Sequence, residues 1–359
     1  MSQLERMRAA MQAADLPAFL VSDSINIRWL TGFTGSFAYV VVTETSGILI
    51  SDSRYTLQAR EQVNDLPTET FSNPTKPNEF LYSHLQQLGV NRLGFDQHQV
   101  SYGKHAEWSE HFAGIELIGH NDPITDLRAI KTSEEMDRIR EACRLADDCM
   151  AHVTDGMRPG ITELELLTRL ETFLRSHGSE ASFAPIIVSG PRSARPHGVP
   201  SQRALQAGDL VTIDLGAVVD GYCSDITRTV VMGPATDRQR TVYGEVLKAE
   251  QAGIAALKPG ANGREIDAAV RALLGESDLA QYFGHGLGHG LGTAVHDTGR
   301  LSPTMEQAIE AGQVWTVEPG VYIEGFGGIR IEDDVLVTPD GPEVLTFFPT
   351  QLMEIPLEG

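Results

Sequence analysis

Residues 211–232, VTIDLGAVVDGYCSDITRTVVM, read as two strands folded back on each other about the dipeptide Asp220-Gly221, a hairpin turn signal. Asp214 follows the run Val211-Thr212-Ile213 and precedes Leu215, so it falls inside an apolar strand. A carboxylate placed there is buried, and a buried charge needs a partner. Asp225 lies on the returning strand, where both side chains can project from one face of an antiparallel pair. Residues 314–337, VWTVEPGVYIEGFGGIRIEDDVLV, repeat the pattern: strands about a Gly-containing turn, with Glu318 and Glu332 set among apolar neighbours.

Each of these segments follows a pair of helical patterns. Thr132-Ser133-Glu134-Glu135 is a capping-box signature opening a long amphipathic helix toward Gly156. Arg158-Pro159-Gly160 ends it, and Thr162-Glu163-Leu164-Glu165 opens a second helix that stops near Gly178. Further on, a helix from near Thr236 ends in Lys258-Pro259-Gly260 and is followed by GREIDAAVRALL, 263–274. Self-similarity at a spacing of about 100 residues predicts a pseudo-twofold domain, each half giving a carboxylate-bearing hairpin to a shared centre.

Upstream, helical and strand patterns alternate as in an α/β layer. LERMRAAMQAA (4–14) reads as a helix, PAFLV (17–21), FAYVVVTE (37–44) and GILISD (47–52) as strands. Arg54 to Val63 reads as a helix, RLGFD (92–96) as a strand, with another helix near Tyr102. NDPITDLRAIK, 121–131, has the polar, Pro-containing look of a linker, so the reading divides the chain into residues 1–127 and 128–359. The fold class expected for the whole is α+β.

A formal net charge of -21 argues against nucleic acid or an anionic membrane surface as partner. The opening MSQLERMRAA lacks the apolar core of a signal peptide, and no apolar run is long enough to span a bilayer. Cys143, Cys149 and Cys223 are odd in number and outside a C-x-x-C pattern, which suits reduced thiols in a cytoplasm.

Asp214, Asp225, His289, Glu318 and Glu332 are therefore candidate metal ligands. Either they lie apart in the fold, or they hold a two-metal site whose two divalent cations neutralise about four negative charges. Three carboxylates placed independently in apolar strands favour the second reading. The stretch GHGLGHGLGTAVHD, 284–297, supplies His285, His289 and His296. Two histidines four apart suggest a zinc-binding H-E-x-x-H helix, but Gly286 stands where that motif has Glu. Five glycines between Gly284 and Gly292 argue for a strand that lets backbone or substrate approach closely. A donor set dominated by oxygen suits manganese better than zinc. Such a pair would activate water for hydrolysis of an amide, ester or phosphate. No Ser or Cys triad motif, P-loop or dinucleotide fingerprint is present.

The strings VTIDLGAVVDGYCSDITRT, GHGLGHGLGTAVHD, TVEPGVYI and GIRIEDDVLV resemble the Xaa-Pro peptidases, prolidase and aminopeptidase P, of the pita-bread metallopeptidases. The resemblance implies a creatinase-like α/β N-terminal domain followed by a pseudo-twofold pita-bread catalytic domain. It implies that Asp214 chelates one metal, that Asp225 and Glu332 bridge two, and that His289 and Glu318 complete the other. Glu318 would also shuttle protons. His197, in SARPHGVPS, matches a substrate-contacting histidine, and His296 one near the scissile carbonyl; Arg330 matches an arginine that orients a ligand or the substrate. His285 matches a position that is not a ligand.

The ions implied are two divalent metals, manganese first, with zinc or cobalt as substitutes. The partners implied are a proline-containing di- or oligopeptide and a second copy of the chain. Trp29 and TGFTGSF, 31–37, read first as core or loop residues, and second as candidates to line an approach to a partner's site. A dipeptidase must recognise a carboxylate directly after the proline ring, and Arg192 and Arg195, flanking Ser193-Ala194, are candidates for that task. The expectation is thus a prolidase. Aminopeptidase P acting on longer peptides is the alternative, and a non-catalytic peptide-binding module the remote one.

Overall fold

The structure, a computed structural model, describes residues 1–306 and 308–357. The chain divides into two compact units, Met1–Arg128 and the residues from Ala129 onward.

The first unit is built on a six-stranded mixed sheet. Its order is Thr68–Phe71, Gly47–Asp52, Tyr39–Thr43, Ala18–Val21, Arg92–Asp96, Glu116–His120. Successive residues of a strand face opposite sides, and both sides are covered. Phe19, Val21, Val40, Val42 and Leu49 join one apolar cluster, while Ala18, Leu20, Tyr39, Val41, Ile48 and Ile50 join another. Continuous apolar runs such as Tyr39-Val40-Val41-Val42 are explained by that double burial. Trp29 and Phe33 are buried in the first cluster.

Residues 121–131 are not the open linker that their composition suggests. Pro123–Ala129 is a helix, because Asp122 accepts the backbone N–H of Ile124 (2.9 Å) and Thr125 (3.1 Å), and Ile124 is fully buried. Asp-Pro here serves as helix cap and first turn.

The second unit shows its internal repeat in matched hydrogen bonds. Gly160 N–H donates to Leu205 O as Gly260 N–H donates to Ile309 O. Leu205 N–H returns to Ile161 O as Ile309 N–H returns to Ala261 O. Gly208 and Gly312, both with positive φ, donate to Met232 O and Val337 O. Met232 N–H then donates to Asp209 O, and Val337 N–H to Gln313 O. The helix pairs Ser133–Asp155 with Glu163–Ser176, and Asp237–Ala256 with Gly263–Gly275, correspond in the same way. Three of the four helices open on capping boxes, at Thr132, Thr162 and Thr236.

Each half then contributes an antiparallel pair: Leu210–Leu215 with Ile226–Met232, and Val314–Val317 with Asp333–Thr338. Asp220 and Gly221 at the first hairpin tip have φ of 47° and 83°, the left-handed conformation that an Asp-Gly turn supplies. In this register Asp214 and Glu318 occupy equivalent positions, as do Thr227 and Glu332, and Asp225 and Arg330. Thr227 and Glu332 pair with each other in an isolated antiparallel bridge, where the two halves meet.

Candidate metal centre and active site

Register brings the acids of the first half together. Thr227 lies directly opposite Asp214, and Asp225, two residues earlier on the same strand face, lies diagonally across from it. The Thr227–Glu332 bridge adds the second half, and the Thr227 hydroxyl donates to Glu332 Oε2 at 2.5 Å. On the other side, Gly288–His289 lies flat against Val314–Val317. A Cβ on Gly288 would stand 2.0 Å from Thr316 O, so only glycine permits the approach. The contact lets His289 N–H donate to Thr316 Oγ1 (3.1 Å) and Glu318 N–H donate to Leu287 O (2.8 Å).

One centre results. Asp225, His289 and Glu332 each offer a ligand atom, and these atoms all lie within 4.8 Å of one another. His289 Nε2 is 3.6 Å from Asp225 Oδ2 and 3.5 Å from Glu318 Oε1. Asp214 joins through Arg330, whose Nη2 lies 2.5 Å from Asp214 Oδ2. Asp214, Asp225, His285, His289, His296, His197, Glu318, Arg330 and Glu332 all line a cavity of about 460 Å³.

The electrostatics of this cluster call for cations. Burial pushes the Asp225 and Glu332 carboxyls well above their usual range, and neighbouring acids push them further: Glu332 and Asp214 act on Asp225, Glu318 and Asp214 on Glu332. Burial also raises Asp214, against the pull of Arg330. It drives Glu318 up to about 8, with Arg330 opposing and Asp214 adding. His289 is held down at about 3, by burial first and then by His296, so its imidazole is neutral, the form that binds metal. Asp214 Oδ1 and Asp225 Oδ1 are buried without a hydrogen-bond partner. Unsatisfied buried carboxylate oxygens beside a neutral imidazole fit a divalent-metal donor set.

The two loop arginines fall elsewhere. Arg192 Nε lies 3.2 Å from Glu163 Oε2, a fully buried carboxylate, and is engaged as its counter-ion. Arg195 is exposed and does not line the cavity. Arg300 does line it, anchored by Nη1 to Asp297 O (2.9 Å) and Gly299 O (2.7 Å).

Other contributors were also missed from sequence. Thr227 holds Glu332, and Tyr322 OH accepts from Arg330 Nη1 (2.7 Å) and meets His285 Nε2 at 2.9 Å. Asp334 Oδ2 accepts the Asp225 N–H at 2.9 Å. Thr227 had a usable signal, standing two residues after Asp225 on the same strand face.

A pseudo-twofold α+β unit whose two halves join carboxylates and an imidazole in one cavity defines a metal-dependent hydrolase. Residues 137–339 match the model of metallopeptidase family M24, and residues 3–130 that of the creatinase/prolidase N-terminal domain. The chain belongs to metallopeptidase family M24, its second unit being the pita-bread domain, and that membership implies divalent metal. It is similar to a Bacillus anthracis structure described as an Xaa-Pro dipeptidase: 37% identity, 98% of each chain covered, TM-score 0.94. It is 35% identical to the Xaa-Pro dipeptidase of Pyrococcus horikoshii over 94% of each sequence. A structure described as an X-Pro aminopeptidase, from Thermotoga maritima, matches at 31% identity and TM-score 0.91, over 97% of this chain and all of that one.

Proposed function

We propose that the protein hydrolyses the peptide bond preceding proline and prefers Xaa-Pro dipeptides. The likeness to Xaa-Pro dipeptidases supports the specificity, and the observation that supports the chemistry is a single cavity holding the acid–imidazole cluster together with Arg300. Asp214, Asp225, His289, Glu318 and Glu332 would hold two divalent ions. Bound there, the ions supply Lewis acidity, activating water and polarising the scissile carbonyl.

The chain's own groups supply the rest. Glu318, on the cavity wall beside His289, takes a proton from the attacking water and delivers it to the proline nitrogen as the C–N bond breaks. A nearby dication would lower that carboxyl and favour its basic form. His197 and His296, on the cavity wall, contact the carbonyl region of the substrate. Arg330 steadies Asp214 through the 2.5 Å ion pair. An Xaa-Pro bond has no N–H to offer a peptidase that reads extended backbone, so recognition falls on the ring and on the terminal carboxylate. Arg300 takes that carboxylate; its guanidinium can form the paired hydrogen bonds a carboxylate accepts.

Manganese is the proposed ion, given four carboxylates and one imidazole. The likeness to an X-Pro aminopeptidase keeps longer Xaa-Pro-Yaa peptides as the second reading. A homodimer and a cytoplasmic location complete the proposal. The latter draws on the three cysteines, Cys143, Cys149 and Cys223, all buried.

The test compares an Xaa-Pro dipeptide with the matching Xaa-Pro-Yaa tripeptide, each with added manganese. Higher kcat/KM for the dipeptide is expected. Preference for the tripeptide would overturn the dipeptidase reading, and cleavage of neither with manganese, zinc or cobalt would overturn the peptidase reading.

A further inference from the structure

A further buried carboxylate, Glu163, lies outside the cavity lining. Glu163, fully buried, is the first residue of the helix Glu163–Ser176. Its Oε1 accepts the Ser189 N–H at 2.8 Å and the Ser189 hydroxyl at 2.7 Å. Its Oε2 accepts the Ser201 N–H at 2.9 Å and the Ser201 hydroxyl at 2.7 Å. One carboxylate therefore grips both ends of the segment that carries His197, each oxygen taking one backbone and one side-chain donor from one end.

The same helix start adds backbone grips: Glu163 N–H donates to Arg203 O (3.0 Å) and Leu164 N–H to Ser201 O (3.1 Å). A helix N-terminus also favours a negative charge at this place. Arg192, inside the segment, balances that charge through Nε and reaches across to Val199 O with Nη2 at 2.5 Å. Between the gripped ends the chain rises to His197, exposed at its own position yet on the cavity wall. The rise is steadied on its other flank by Ser193 Oγ, which accepts the Gly328 N–H at 2.8 Å, two residues before Arg330.

We infer that the Glu163–Arg192 pair is a positioning device for His197, fixing the height at which the imidazole enters the cavity. Neither residue touches the cavity; both act through the loop. The inference rests on the reading of His197 as a substrate contact. It also assigns Arg192 a task other than binding the substrate carboxylate.

The discriminating experiment is a double-mutant cycle on the metal-loaded enzyme. Glu163→Gln turns an amide N–H toward a backbone donor at one end of the loop, and Ser201→Ala removes a single hydroxyl. Displacing a substrate-contacting group by about an ångström costs up to roughly a hundredfold. Glu163→Gln is therefore expected to lower kcat/KM at least tenfold, and Ser201→Ala by less. Manganese affinity, read by calorimetry, is expected to stay within twofold.

In a His197→Ala background neither change should lower kcat/KM further. Losses that multiply in that background overturn the positioning role while leaving His197's own role standing. A His197→Ala enzyme with unchanged kcat/KM overturns both. Should Glu163→Gln fail to fold, the Ser201→Ala arm of the cycle decides alone.

Discussion

Thr227 Oγ1 lies 2.5 Å from Glu332 Oε2 and 3.0 Å from Arg330 Nε. A guanidinium only donates, so the hydroxyl accepts from Arg330 and must send its own proton to Glu332. One small side chain thereby fixes the rotamer of a proposed metal ligand and the height of the arginine beside Asp214. Thr227→Val keeps the shape and removes both bonds. Such supporting contacts are worth about 10–100-fold in metal affinity, and at least a tenfold loss in calorimetric manganese binding is expected, with activity partly restored by excess metal. Unaltered binding would reject this role.

Arg300 and Arg195 give opposite expectations. Arg300→Ala removes the cavity arginine proposed to meet a substrate carboxylate directly after proline. KM for an Xaa-Pro dipeptide should rise at least tenfold, the scale of a lost charged hydrogen-bond pair. KM for an Xaa-Pro-Yaa tripeptide should move much less. Arg195→Ala, exposed and off the cavity lining, should change neither. Equal losses on both peptides in Arg300→Ala would remove the carboxylate role.

Gly288→Ala tests the close approach of the histidine strand. The added methyl would meet Thr316 O at 2.0 Å, a backbone atom that cannot rotate away. Separating the strands moves His289 from Asp225 and Glu318. A variant with lost metal binding and a lowered Tm is expected, whereas a variant with native metal affinity would show that the strand tolerates the methyl.

Glu250 sets a pH dependence of stability. Burial pushes its carboxyl from an ordinary value near 4.5 up to about 9, Asp333 adding and Arg228 opposing. Between those values the folded protein keeps a proton that the unfolded chain releases. The group's contribution is therefore complete below pH 4.5 and is lost progressively as pH rises toward 9. The loss is on the order of a few kcal/mol. Glu250→Gln, permanently neutral, should flatten the fall in denaturant midpoint from pH 5 to pH 9; an undiminished slope would show that other groups set it.

Local chemistry was legible in the sequence wherever a few neighbouring residues decide the outcome. Asp220-Gly221 specifies its turn, Thr132, Thr162 and Thr236 specify helix starts, and carboxylates at 214 and 318 stand out because apolar residues surround them. The helices Ser24–Thr31 and Pro77–Gln87 escaped notice, the first being short and the second burying only Leu81 and Leu85. Contacts made across long separations left no local trace. Arg300 looks like any loop arginine until its strand is paired with His289, and Arg192 looks available until Glu163 is found beneath it. The proximity of Arg195 to His197 in sequence suggested a shared cavity, but adjacent residues on an extended loop point different ways.

The internal repeat is matched at Asp214 and Glu318 and broken at the two positions beside them. Thr227 answers Glu332, and Arg330 answers Asp225. A faithful duplication would have set an acid at three positions in each half, leaving six carboxylates for two dications to offset. Divergence at Thr227 and Arg330 leaves four acids, Asp214, Asp225, Glu318 and Glu332, with the Arg330 guanidinium beside them, so that two such ions would more than offset the negative charge. In this domain broken symmetry, rather than symmetry, keeps the acids at its dyad few enough for two dications to offset.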